Sequence, residues 1–209
     1  MKNKKNIMLS GIFLFSFCVL TICLLFANVR YTGIKNEKIG LFFINKLSLK
    51  LEYNAFLDKL SDVFLLFSIV GVFALALKGF IQLIKRKSLF KVDRSLICFG
   101  CVFLALVLLW LCFDKLFVIN NRPILIDNKL EASYPSTHIM LATFTLLSLS
   151  EQFENKRKKY FFIFSIISIV ATVVLRFISG MHWITDCLGG LFLGVSLYFL
   201  YLFLKEKSI

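Results

Sequence analysis

Apolar runs near or above 18 residues recur along this chain of 209 residues, and each is long enough to cross ~30 Å of hydrocarbon as a helix. They lack the alternation of apolar and polar positions that a membrane-barrel strand requires. With 59% hydrophobic residues and a mean hydropathy of +0.83, the composition lies outside the range of soluble domains. The expected fold class is therefore all-α: a polytopic membrane protein with about six transmembrane helices, forming a single domain over residues 1–209. The spans read as approximately residues 7–28, 60–80, 95–113, 138–152, 160–178 and 183–204. The fourth is short, and residues ahead of His138 are expected to be partly embedded. Lys2, Lys4 and Lys5 precede the first apolar run in the manner of a secretory signal. That run is longer than a signal core and has a poor small-residue cleavage pattern, so it reads as an uncleaved helix.

The formal charge of +13 would suggest nucleic acid in a soluble protein. Here the lysines and arginines gather in the short connections between apolar runs, as membrane insertion dictates for cytoplasmic loops, so no nucleic-acid partner is expected. The N-terminal tail, the 81–94 and 153–159 connections and the C-terminal tail together hold fourteen Lys and Arg, against ten on the other side. The blocks Lys85-Arg86-Lys87 and Lys156-Arg157-Lys158-Lys159 are the densest. Both termini are therefore expected on the cytoplasmic side of the cytoplasmic (inner) membrane. Residues 29–59 mix polar and apolar positions irregularly and read either as an outer interfacial segment or as an ordinary loop. Cys18, Cys23, Cys98, Cys101, Cys112 and Cys187 all lie within apolar runs. The Cys98-Phe-Gly-Cys101 spacing has no βαβ context and reads as two small hydrophobes one turn apart. No metal site is visible. Gly190 and Gly194 give the last span a small-residue face for close helix packing.

Three polar knots interrupt this apolar background, and the two-span separation of 114–137 from 176–183 brings all three to one face of the membrane. Arg176 ends an apolar run. It reads either as an interfacial anchor with a snorkelling side chain or as a functional cation, since ionisable groups at membrane depth are functional candidates. His182 and Asp186 are spaced i, i+4 and would share a helix face, where a carboxylate fixes the imidazole tautomer and leaves the other nitrogen free to attack. Pro135-Ser136-Thr137-His138 opens the fourth span. It suits a helix start and equally an anion site, where free N–H groups and the dipole meet phosphate oxygens. Lys115 and Arg122 supply point and forked positive charge.

Lys115-x6-Arg122-Pro123, Pro135-Ser136-Thr137-His138 and Arg176-x5-His182-x3-Asp186 resemble the tripartite signature of the type 2 phosphatidic acid phosphatase (PAP2) family, which is also related to vanadium-dependent haloperoxidases and bacterial non-specific acid phosphatases. The motifs run from 115 to 186. The resemblance implies a phosphatase acting on a lipid phosphate or diphosphate, such as undecaprenyl diphosphate, phosphatidylglycerol phosphate or phosphatidic acid, with the site at the outer membrane face. It implies His182 as the nucleophile that forms a phosphohistidine, Asp186 as its orienting carboxylate and His138 as general acid and then base. Lys115, Arg122, Ser136, Thr137 and Arg176 would bind the phosphate, with no metal and no cofactor. The partners implied are the membrane lipid phosphate substrate and bilayer lipids; nothing in the sequence sets an oligomeric state. Two departures stand out: Thr137 occupies a position where the family usually has glycine, and Leu175 one where it usually has serine. The alternatives are a lipid-phosphate phosphotransferase, in which another acceptor replaces water, and a non-catalytic lipid-binding or transport protein.

Overall fold

The computed structural model describes residues 2–35, 37–126 and 128–206, and among these the regular elements are helices apart from one two-residue-per-strand hairpin, β1 Arg30–Tyr31 with β2 Lys38–Ile39. The helices are α1 Lys2–Phe26, α2 Phe42–Asn45, α3 Ala55–Arg86, α4 Arg94–Leu111, α5 Thr137–Ser150, α6 Asn155–Ile178 and α7 Ile184–Glu206. Each of the six expected spans has a helix at its core. Five are long and apolar enough to cross a membrane, α4 being lengthened by a π-helical turn at Cys112–Leu116; the chain is a multi-pass membrane protein. The exception, α5, has 14 residues and rises only about 21 Å at ~1.5 Å per residue. It is tolerated because α5 is sheathed by other helices. Ten of its residues are buried, including Thr143, Thr145 and Ser148, and Tyr134 and Ser136 ahead of it are buried too.

Between helices in lipid the hydrophobic effect contributes little, so close fit and interhelical hydrogen bonds hold the bundle. Helix α7 lies at its centre, packed on α1, α4, α5 and α6. Ser10 Oγ donates to the Ser196 carbonyl and Ser196 Oγ to the Ser10 carbonyl, each at 2.9 Å. Asn6 Nδ2 donates to Glu206 Oε2 at 3.1 Å, so the start of α1 and the end of α7 share one side of the bundle. Phe99 of α4 stacks on Phe144 of α5 with centroids 5.3 Å apart, and Tyr201 of α7 meets Phe144 edge-on at 6.5 Å.

The small-residue face of α7 is real and larger than Gly190 and Gly194 alone. A Cβ at Gly190 would stand 2.6 Å from the Ser136 carbonyl oxygen, one at Gly194 2.7 Å from Thr143 Cβ, and one at Gly189 2.5 Å from the Tyr134 ring. These glycines let α5 and the chain just before it lie directly on α7. Gly190→Ala should therefore push the Ser136 backbone outward, cost about 1–3 kcal/mol of stability, and lower activity. Thermal unfolding in detergent checks the first effect.

The described residues of 29–54 make a strap of the β1–β2 hairpin, α2 and a 3-10 turn at Ser48–Lys50. Gly40 crosses the end of α1 so closely that a Cβ would lie 1.9 Å from the Leu24 carbonyl oxygen. Asn45, fully buried, donates to the Gly40 carbonyl at 3.0 Å and accepts from Thr185 Oγ1 at 3.1 Å, seating the strap on the first turn of α7. The strap then runs into α3, which begins at Ala55, earlier than the apolar pattern predicts. Asn54 Oδ1 caps α3 by accepting from the Phe56 and Leu57 amides at 3.1 Å. At the end of α6 the chain turns at Gly180 with φ +73°, where a Cβ would meet the Glu52 carbonyl oxygen at 3.0 Å. The Asn54 amide donates to the Ser179 carbonyl at 3.0 Å. The start of α3 is thus pinned to the end of α6, with consequences for Arg176. The six cysteines are free thiols.

Candidate active site

The three motifs come from the 117–136 connection, the start of α5 and the α6–α7 turn, and they meet at a cavity of about 220 Å³ lined by Arg122, Ser133, Pro135, Thr137, His138 and His182, with Trp110, Phe113 and Asp114 of the α4 end forming one wall.

His182 does not share a helix with Asp186, as the i, i+4 spacing predicts. The left-handed turn at Gly180 leaves His182 in the connection, and α7 begins at Ile184. The pairing forms nonetheless, with His182 Nδ1 3.3 Å from Asp186 Oδ2. Asp186 lies in the first turn of α7 and reaches back to accept from the Trp183 amide at 3.0 Å, the reciprocal half of a capping box. Its other oxygen, Oδ1, accepts from Asn120 Nδ2 at 2.9 Å, and the Asp186 carbonyl accepts from the Ser136 amide at 3.1 Å. Asp186 is fully buried and His182 is 3% exposed. A carboxylate that accepts the Nδ1 hydrogen leaves Nε2 as the nitrogen with a free lone pair. Burial lowers the His182 pKa, and the hydrogen bond and charge of Asp186 oppose that in part.

Arg176 is 3% exposed and is no snorkelling anchor. Its Nη1 is ion-paired with Asp58 of α3. Its Nη2 lies 2.8 Å from His138 Nδ1 and 2.9 Å from Nε2. His138 Nε2 is 3.1 Å from Asp62 Oδ1, also on α3. The tautomer that satisfies both neighbours carries its hydrogen on Nε2 for Asp62 and accepts from Arg176 at Nδ1. Asp58 and Asp62 escape notice in the sequence because they sit where the strap meets the second span and look like ordinary flanking charges. Their i, i+4 spacing at the head of an apolar run was the available signal.

Arg122 is placed by its backbone, its amide donating to the Glu131 carbonyl at 2.9 Å. Its Nη1 lies 3.7 Å from Met181 Sδ and its Nε 3.4 Å from Glu131 Oε2. Ser136 occupies the N-cap of α5 without capping it: its hydroxyl makes no bond to the helix. Ser136 Oγ, Arg122 Nε and Arg176 Nε are all buried without a hydrogen-bond partner. Thr137, the first residue of α5, lines the cavity. Lys115 stands apart. The π-helical turn sends it outward, 73% exposed and 2.7 Å from Asp114, and it does not line the cavity. Tyr134 fixes the approach to Ser136 by donating to or accepting from Thr21 Oγ1 at 2.8 Å, stacked on Phe17 at 5.7 Å.

The fold and site together define a helical membrane protein with a cation- and imidazole-lined cavity at one end of its bundle. Residues 114–208 match the family model described as PAP2 superfamily; the stretch contains all three motifs, and the family resemblance drawn from them holds. The chain is also similar to a solved structure described as the first transmembrane PAP2 type phosphatidylglycerolphosphate phosphatase from Bacillus subtilis, with a TM-score of 0.56 and 20% identity over 92% of this chain and 93% of that one. At that identity the likeness speaks for the fold. No curated protein sequence matches the chain.

Proposed function

We propose that this protein is an integral membrane phosphatase that hydrolyses a lipid phosphate or diphosphate at the outer face of the cytoplasmic membrane, through a phosphohistidine on His182. The observation that carries the reading is the cavity lined by Arg122 and both imidazoles, His138 and His182, with Arg176 against the His138 ring and with Ser136 Oγ and Arg176 Nε buried without a hydrogen-bond partner. Buried polar atoms are normally satisfied, and two unpaired donors together with the cavity-lining Arg122 guanidinium suit the oxygens of a tetrahedral anion. At about 220 Å³ the cavity is smaller than the ~300–1,000 Å³ of drug-sized pockets. It suits a head group whose tail stays in the bilayer.

In the proposed reaction His182 Nε2 attacks phosphorus while Asp186 stabilises the imidazolium that forms. The bond from phosphorus to the leaving oxygen breaks, and His138 gives that oxygen a proton. His138 then takes a proton from water, which attacks phosphorus, breaks the P–N bond and releases phosphate. Arg122 and Arg176 offset the charge that spreads over the phosphoryl oxygens, the dominant demand in phosphoryl transfer. The density of Lys and Arg on the side of both termini supports a cytoplasmic location for them and an outer location for the cavity.

Purified protein in detergent should release inorganic phosphate from at least one member of a panel of lipid monophosphates and diphosphates, equally with and without EDTA, and vanadate should inhibit competitively. No release from any of them contradicts the reading. Phosphate appearing on an added alcohol instead of in solution identifies a phosphotransferase.

A further inference from the structure

Both histidines of the site are held by carboxylates, yet only Asp186 belongs to the recognised motifs. The second carboxylate comes from α3, outside the 114–208 stretch, and it touches the other ring. We propose that Asp62 is the positioning residue for His138, holding its Nε2 hydrogen and stabilising its imidazolium, so that the site contains two carboxylate–imidazole pairs. The inference rests on the phosphatase reading and deepens it.

The geometry explains why His138 needs such a partner. Arg176 of α6 faces the ring at 2.8 Å, and Arg122 of the 117–136 connection and His182 of the α6–α7 turn line the same cavity. Like charge nearby disfavours an imidazolium, so a general acid here must be offset by a carboxylate. Asp58, one turn before Asp62 on α3, is engaged by Arg176 Nη1, and Asp114 of the π-helical turn after α4 by Lys115 at 2.7 Å. Asp62 is left as the carboxylate bonded to the His138 ring, at 3.1 Å. With Nε2 held by Asp62, Nδ1 is the nitrogen that exchanges protons. It accepts from Arg176 at rest. When the guanidinium turns to a phosphoryl oxygen, Nδ1 carries a proton taken from water and passes it to the leaving oxygen. It recovers one from the attacking water in the second step.

Asp58 and Asp62 thus divide the work along one face of α3: Asp58 aims Arg176 and Asp62 aims His138. The pinning of the α3 start to the α6 end, through the Asn54 amide and the Ser179 carbonyl, sets both in place.

The test compares wild type, Asp62→Asn and Asp62→Glu in detergent on two readouts. The first is the pH profile of kcat on the best substrate of the panel. Asp62→Asn should move the alkaline limb down by about one pH unit and lower kcat at pH 8 about tenfold, and Asp62→Glu should restore part of both. The second uses the fact that the chain has only two histidines. Protein labelled with [15N]histidine gives two imidazole signals, assigned with His182→Gln, and the His138 signal should titrate at lower pH in Asp62→Asn. An unmoved limb together with an unmoved His138 titration overturns the proposal. So does a loss of activity that Asp62→Glu does not restore and that leaves the limb in place, because that pattern is structural damage. If wild type releases no phosphate while the His138 titration still moves, the carboxylate–imidazole pair stands and the phosphatase reading falls.

Discussion

His182→Ala is expected to abolish turnover, lowering kcat about 10⁴-fold or more, while the protein still folds and inserts. The imidazole is buried and held at Nδ1 by Asp186. Removing it takes away the proposed nucleophile without unpairing the carboxylate, which keeps its bonds from Asn120 and the Trp183 amide. The same residue is expected to set the acid side of the pH profile. A ring whose pKa is lowered by burial stays neutral to a lower pH than the ordinary value of about 6.5. In the proposed reaction the neutral form attacks, so kcat/KM should hold as pH falls through neutrality and decline with a midpoint below that value. Initial rates from about pH 4.5 to 8 check the limb. Appreciable turnover by His182→Ala sinks the nucleophile assignment.

The second large effect is expected at Arg176. Its guanidinium meets Asp58 and His138 at once and leaves Nε without a partner, and a single ammonium cannot reproduce that fork. Arg176→Lys should lower kcat about 10²–10³-fold, the cost of losing a positioned donor to developing charge, with the fold retained. Arg176→Leu should add a stability loss of about 3 kcal/mol, because it strands the Asp58 carboxylate in a site where its partner is buried. Kinetics and thermal unfolding on both variants separate the two effects. Equal stability of the two variants would show that Asp58 is satisfied without Arg176.

The residues that the motifs name were legible because their chemistry contrasts with an apolar background: two histidines, two arginines and an aspartate converge as the order of spans requires. What was illegible depended on contacts between distant segments. Asp58 and Asp62 acquire their meaning only when the strap and Gly180 bring α3 against α6. Asn120 becomes the second anchor of Asp186 through the fold of the 117–136 connection, which carries no periodic pattern. The expected helical face shared by His182 and Asp186 gave way to a turn because Gly180 takes a left-handed conformation and Asp186 itself caps the new helix. The charge of Lys115 and the family signature group it with the cations of the site, and the π-helical turn, invisible in the sequence, carries it outward beside Asp114. The short fourth span was readable as short, and its burial among α3, α6 and α7 explains why it can be.

The most direct test of the phosphohistidine account is to trap the intermediate. Rapid mixing with a lipid phosphate labelled with ³²P at the scissile group, followed by alkaline quench, should leave one acid-labile, base-stable label per active chain, mapping to the peptide that contains His182 and absent in His182→Ala. Phosphate release by an active enzyme with no label on His182, or with the label on another residue, would contradict it.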